Sequence, residues 1–207
     1  MIGEHADIGP ERIHQFRTQT VTLTDVDAPG RILDIGGGGE GIIGMLRGES
    51  VVAIDTSADE LAEAAEGPLK LVMDARELLF LAAMFDVVTS FFTLMYVDRE
   101  DHEAVLSEAW RVLQTGGRMM IWDVELSARG EREEDIAIFP LSVELPEARV
   151  GTGYGILWPE EPLAMSHTAD LARRIGFDVV GEEQTGRVFY LELLKPRSQP
   201  RGAAAAE

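Results

Sequence analysis

Short apolar runs and helical periodicities take turns along this chain from Arg31 almost to Lys195. The apolar runs are Arg31 to Ile35, Val51 to Asp55, Leu69 to Met73, Phe85 to Ser90, Arg118 to Val124, Val179 to Gly181 and Val188 to Leu193. Between them, apolar residues recur at helical spacing from about Gly41 to Leu46, after Ser57, from about Asp101 to Leu113, and from Thr168 to Ile175. Strands alternating with helices in this way predict βαβ units around a largely parallel sheet, an α/β fold. Local punctuation agrees with the division. Ser57-Ala58-Asp59-Glu60 has the form of a capping box, whose side chains satisfy orphan amides at a helix start. Gly67-Pro68, Gly116-Gly117 and Gly176-Phe177 mark stops.

Three segments stand outside that rhythm. Gly9-Pro10-Glu11-Arg12 predicts a helix with Pro10 at its first position, carrying Ile13 and Phe16 on one face and ending before Asp27. About residues 127–165 form an insertion between the fifth strand and the last helix. Its first part, Arg129 to Asp135, is charged, and Ile136 to Trp158 mixes alternating apolar residues with Pro and Gly-Thr-Gly-Tyr-Gly. Segments of this length serve as lids, binding loops or extra strands. The apolar alternation over Ile136 to Val150 also suits a strand contact between two copies, a homodimer. Residues 196–207, with Pro, Ser, Gly and four alanines, read as a disordered tail, which leaves one domain over 1–195.

Composition narrows the classes. The chain has 207 residues, enough for one well-filled core, and a formal net charge of -19. Such a surface repels nucleic-acid backbones and anionic lipid, so neither is an expected partner. No apolar run nears the roughly 20 residues that span a bilayer. The absence of cysteine removes disulfides, thiolate catalysis and thiolate metal sites. With no signal-peptide pattern at the start, the expected location is cytoplasmic.

The chemistry concentrates after the first strand. Ile32-Leu33-Asp34-Ile35-Gly36-Gly37-Gly38-Gly39-Glu40-Gly41 is an apolar run closed by an acid and followed by a glycine loop. Such a loop lets a ligand approach the backbone closely. Asp55 closes the next apolar run, about 20 residues on, the spacing that places a carboxylate on ribose hydroxyls. Together they predict a nucleoside-containing ligand. Gly36, Gly38 and Gly41 satisfy the dinucleotide pattern Gly-x-Gly-x-x-Gly, so an NAD(P)-dependent oxidoreductase is one alternative. Asp34 and Glu40 would then flank a pyrophosphate with two carboxylates. A cationic ligand without phosphate suits those acids better.

The ordered set of segments resembles the class I S-adenosylmethionine-dependent methyltransferases of the small-molecule type. It runs from the glycine loop through Asp55, Asp74-Ala75, Phe85-Asp86-Val87-Val88 and Ala109 to Gly117, and ends at Gly176-Phe177. The likeness covers about Arg31 to Leu194. It departs from the family pattern at Glu40, where a third glycine is common. The resemblance implies a Rossmann-like, doubly wound, mostly parallel seven-stranded sheet with an antiparallel last strand. It also implies S-adenosylmethionine as methyl donor and a small-molecule acceptor; Asp123 and Glu125 have no further ligand pattern around them, so no metal is expected. By the same resemblance, Asp34, Gly36, Gly37 and Gly38 hold the methionine end, and Asp55 with Thr56 the ribose. Asp74 with Ala75 takes the adenine amino group, and Ser90 with Phe91 lines the pocket. Phe91 and Phe92 would alternate if both continued the strand, leaving one of them in the core. His167 is the candidate general base, because it sits between the insertion and the last helix and histidine titrates near neutrality. His102 is expected on a solvent-facing helix. Asp123 could face the acceptor, and Tyr96, Trp122, Tyr154 and Trp158 could build an aromatic acceptor pocket. A binding protein that holds the donor without turnover is the second alternative.

Overall fold

The computed structural model describes residues 9–24, 26 and 30–197. Its centre is a seven-stranded sheet. The strands are β3 (Ile32–Ile35), β4 (Val51–Asp55), β5 (Leu69–Val72), β6 (Phe85–Phe91), β7 (Leu113–Val124), β10 (Asp178–Thr185) and β11 (Val188–Leu194). They lie in the order β10-β11-β7-β6-β3-β4-β5. Every neighbouring pair from β5 to β7 is parallel, while β11 runs antiparallel to both β7 and β10. All four residues of β3 are buried, as a strand covered on both faces requires.

Alternate side chains of these strands enter two separate cores. On one face, Leu33, Val88, Met119 and Ile121 meet the apolar stripes of α3 (His102–Val112) and α4 (Met165–Ile175). On the other, Ile32, Val51, Val87 and Trp122 meet Ile42 and Ile43 of α1 (Ile42–Arg47), Leu61 of α2 (Ala58–Glu63) and a second sheet. The serine half of the capping box forms as expected, with the Glu60 N–H donating to Ser57 Oγ at 3.2 Å, while the Ser57 N–H donates to Asp55 Oδ1 in place of the Glu60 carboxylate.

The second sheet is the departure from an ordinary doubly wound fold. The insertion folds into a hairpin of β8 (Ile136–Glu144) and β9 (Arg149–Leu157), paired antiparallel over their whole lengths. On the other edge of β8, β1 (Ile13–Gln15) and β2 (Gln19–Thr22) pair in parallel, one after the other. The helix expected after Pro10 is therefore limited to a 3-10 turn, Pro10–Arg12. Ile13 and Phe16 instead serve the sheet, Ile13 opposite Ile136 and Phe16 stacked on Phe139 with ring centroids 4.8 Å apart. Helical spacing of two apolar residues was outweighed by alternation in Gln19 to Thr22 and by a long-range partner. The apolar alternation of β8 is likewise satisfied within the chain, on both of its edges. Residues 198–207 of the expected tail lie outside the described residues.

Two smaller expectations change. Strand β7 begins at Leu113 rather than Arg118, and α4 begins at Met165, where Glu125 Oε1 accepts the Met165 N–H at 2.8 Å. His102 is buried rather than solvent-facing, because its ring turns back toward the carbonyls of Leu94 and Val97.

Candidate active site

The strand order reverses direction between β3 and β6, so the connections leave their carboxyl ends toward opposite faces. A crevice opens there, the usual ligand position in such sheets. In this protein it is a cleft of about 900 Å3 lined by Gly36, Gly38, Asp55, Thr56, Asp74, Ala75 and Phe91 from the sequence-predicted set. The glycine loop sits where it does because Gly36 and Gly37 both donate their N–H groups to the Ile54 carbonyl. A side chain could not replace the hydrogens. A Cβ on Gly36, whose φ is 72°, would lie 2.2 Å from Thr93 Oγ1, and one on Gly38 would lie 2.8 Å from Asp55 Oδ2. Asp55 is held against the loop by the Ser57 N–H, which donates to its Oδ1 at 2.9 Å and leaves the other oxygen facing Gly38.

Three predicted residues stand outside the cleft lining. Asp34 is buried beneath the loop, where Thr89 Oγ1 donates to its Oδ1 at 2.7 Å. Burial, opposed by that bond and reinforced by the charge of Asp55, pushes the Asp34 carboxyl up to about 7. Gly37 packs over Ala53 and Asp34, and Ser90 is fully buried with its hydroxyl unpartnered. Asp74 lines the cleft, but its carboxylate already receives the Arg76 guanidinium, which holds its pKa below the usual carboxylate range. Arg76 also bridges to Asp101 at 2.6 Å.

Strand β6 ends at Phe91, and Phe92 then takes φ 54°, a left-handed backbone unusual for a bulky side chain. The break cancels the alternation expected of the pair, and both rings line the cleft. The break also delivers Thr93 and Tyr96 to the same wall.

Sequence reasoning singled out Glu40 as a departure without giving it a task. Its carboxylate receives the hydroxyls of Thr152 and, at 3.4 Å, Tyr154, so the glycine loop is tied to β9. The hairpin thereby becomes a roof, with Gly153 and Tyr154 lining the cleft and the Tyr154 ring stacked on Phe92 at 5.2 Å. Burial first, and then the charge of Glu40, raises the Tyr154 hydroxyl above its ordinary pKa; burial likewise takes Tyr96 up to about 12. Both phenols therefore stay protonated at neutral pH. Of the four aromatic candidates, Tyr96 and Tyr154 reach the cleft. Trp122 instead faces the gap between β2 and β11, and Trp158 is buried with its indole donating to the Ser127 carbonyl at 2.9 Å.

His167 belongs to a separate small cavity shared with His102, Asp123, Arg99 and Thr168. Hydrogen bonding assigns the tautomers. His102 Nε2 lies 3.1 Å from the carbonyl oxygens of Leu94 and Val97, so it is the protonated nitrogen. His167 Nδ1 accepts from Arg99 at 2.9 Å, and Arg99 also donates to the Pro162 carbonyl. Burial lowers the pKa of both imidazoles. Asp123 accepts the Met95 N–H at 3.2 Å, and burial pushes its carboxyl up to about 7. Among the described residues no group of three or more His, Asp or Glu is arranged to hold a metal ion.

A reversed strand order, a glycine loop at the reversal and an acid at the end of the next strand define a Rossmann-like fold. The profile of a family described as "Methyltransferase domain" matches residues 33–121, the stretch from β3 to β7. The matched stretch holds the glycine loop, Asp55 and Asp74, the residues that line the cleft. The fold is shared with a Pyrococcus horikoshii OT3 protein at 21% identity and TM-score 0.58, covering 82% of this chain and 83% of that one. A SAM-dependent methyltransferase of Methanosarcina mazei aligns at 17% identity and TM-score 0.57, over 83% of this chain and 95% of the other. A Thermotoga maritima protein described as a possible histamine N-methyltransferase aligns at 19% identity and TM-score 0.58, over 82% and 84%. No curated protein sequence matches the chain.

Proposed function

We propose that this protein transfers the methyl group of S-adenosylmethionine to a small-molecule acceptor seated beneath the β8–β9 roof and releases S-adenosylhomocysteine. The observation that carries this reading is a single cleft that combines Gly36, Gly38 and Asp55 with a roof of Gly153 and Tyr154. Its volume of about 900 Å3 is at the upper end for small-molecule sites, with room for a donor and a second molecule.

In this reading the Asp55 oxygen beside Gly38 accepts from the ribose hydroxyls, with Thr56 alongside. Asp34 braces the loop from below and sets the backbone of Gly36, Gly37 and Gly38 against the methionine end. Asp74 accepts from the adenine amino group while keeping its bond to Arg76, and Ala75 and Phe91 cover the ring; Ser90 supports that wall from behind. The bound donor supplies an electrophilic methyl on a sulfonium. The chain's task is to hold the acceptor in line with it and exclude water, worth up to about 7–11 kcal/mol in favourable cases. His167, in its own cavity with Arg99, acts as a positioning residue for the segment that carries Tyr96, and not as the base. The roof and the net charge of -19 favour a small acceptor over nucleic acid. A cytoplasmic location and a single domain over 1–195 complete the reading.

Calorimetric titration with S-adenosylmethionine, S-adenosylhomocysteine and NADH tests it. Micromolar binding of both sulfur nucleosides and none of NADH is expected, and NADH binding alone would overturn it. Asp55→Ala should cost about 2–3 kcal/mol of donor affinity, the worth of a charged hydrogen-bond set, with the fold intact by circular dichroism. Unchanged affinity would remove the ribose assignment. His167→Ala should keep donor affinity and lower turnover without altering the limbs of the pH–rate profile, whereas loss of the acidic limb would restore its role as base.

A further inference from the structure

The part of the cleft under the roof has a chemical character of its own. Phe92 lies on its floor with the Tyr154 ring stacked above, and Tyr96 stands beside them, its hydroxyl bonded by the backbone of Gly155. Glu40 lies against this trio, fixed by the hydroxyls of Thr152 and Tyr154. The remaining charged groups lining the cleft are carboxylates, apart from Arg76, whose guanidinium is committed to Asp74 and Asp101. Among the described residues, no cation in the lining is left to pair with an acceptor's own carboxylate or phosphate. Aromatic faces attract a cation through their quadrupole, most strongly where water is displaced, and a carboxylate held at their edge adds direct charge complementarity.

Resting on the reading of the cleft as a methyl-donor site, we infer that the acceptor is a small primary or secondary amine. It is captured as an ammonium between Glu40 and the accessible rings of Tyr96 and Tyr154, with the buried Phe92 backing Tyr154. The chemistry then needs deprotonation before attack. The ammonium sheds one proton to water at the cleft mouth, and the freed lone pair forms the N–C bond to the methyl group. The C–S bond breaks as this forms, with its electron pair left on sulfur as the neutral thioether, and the product is the methylated ammonium. Glu40, bonded to two hydroxyls, selects and orients the amine and takes no proton. The loop position where the family pattern has glycine thus becomes the specificity determinant.

The test uses the full chain saturated with S-adenosylhomocysteine and titrated with benzylamine, benzyl alcohol and benzoate, then with the matching phenethyl and imidazolyl-ethyl sets. Amines should bind at least tenfold tighter than their alcohols, and the carboxylates should not bind. Glu40→Gln, which keeps the shape and hydrogen-bonding reach, should shrink the amine preference to within threefold and leave S-adenosylhomocysteine affinity within threefold. Tyr154→Phe should retain most of the preference, and Tyr154→Leu should lose it. Equal binding of amine and alcohol, preference for a carboxylate, or no amine binding in any set would overturn the inference. A tenfold or greater loss of S-adenosylhomocysteine affinity in Glu40→Gln would also overturn it, by assigning Glu40 to the donor. Failure of the unmodified chain to bind S-adenosylhomocysteine at all would instead count against the methyltransferase reading beneath it.

Discussion

The seven-stranded sheet and the four-stranded sheet are held by different kinds of information. In the first, each strand between β3 and β7 lies beside a partner one βα step away or across the switch point, and its ends carry the glycine loop, Asp55 and Asp74. In the second, the hairpin turn is local but β1 and β2 find β8 only through the folded chain, Ile13 opposite Ile136 and Gln19 opposite Leu141. The first sheet supplies the cleft's glycine loop and acids, the donor site of the proposed function. The second supplies the roof, through Gly153 and Tyr154. The two sheets meet at the cleft where Glu40 of the glycine loop accepts the hydroxyls of Thr152 and Tyr154.

The strongest way to break that division is to empty the second sheet's centre. Phe139 is fully buried and stacked on Phe16, and it shares a core with Ile32, Val51 and Trp122 of the first sheet. Phe139→Ala should therefore destabilise the whole molecule by about 3–5 kcal/mol in one denaturation transition. Two separate transitions, with donor affinity surviving the first, would mean that the sheets fold as independent units.

A second test concerns pH and should report on the first sheet alone. Asp34 and Asp123 both have carboxyl groups raised to about 7 by burial, above an unfolded value near 4. Between those values the folded state binds more protons than the unfolded one, so stability falls as pH rises from about 4 to 7 and levels off above. Asp34→Asn keeps an acceptor for Thr89 and should flatten part of that slope in denaturant titrations across the range. An unchanged slope would show that Asp34 is ionised in the fold.

The smallest effect belongs to α2, beside the donor loop. Ser57→Ala removes the cap that receives the Glu60 N–H and should cost about 1 kcal/mol. Because the Glu60 carbonyl accepts the Gly39 N–H, donor affinity should slip with it by a few-fold. A loss confined to stability would separate the loop from the helix.

Much of this was legible from residues 31 to 124, because buried parallel strands are written as unbroken apolar runs and their turns as glycines and acids. The Ser57 box and the Gly176 stop were readable for the same local reason. The amino-terminal strands were not, since three or four residues of alternation carry little signal until a partner over a hundred positions away is known. At the site, Asp55 and Gly38 could be foreseen from spacing. Phe92 could not, because strand alternation fails where the backbone turns left-handed. His102 was misplaced by a rule about helix starts that ignores a side chain folding back on the preceding turn. Tyr154 was visible as an aromatic in a glycine-rich stretch, but its link to Glu40 depends on the roof closing over the loop.

The parallel pairing of β1 and β2 with β8 has a consequence in time. As the chain emerges in order from the ribosome, β1 and β2 wait through the synthesis of β3 to β7 before their partner exists. Contacts of such long sequence separation form late, after their loop-closure entropy has been met by other structure. The segment that completes the roof is thus made well before its partner and placed only after it.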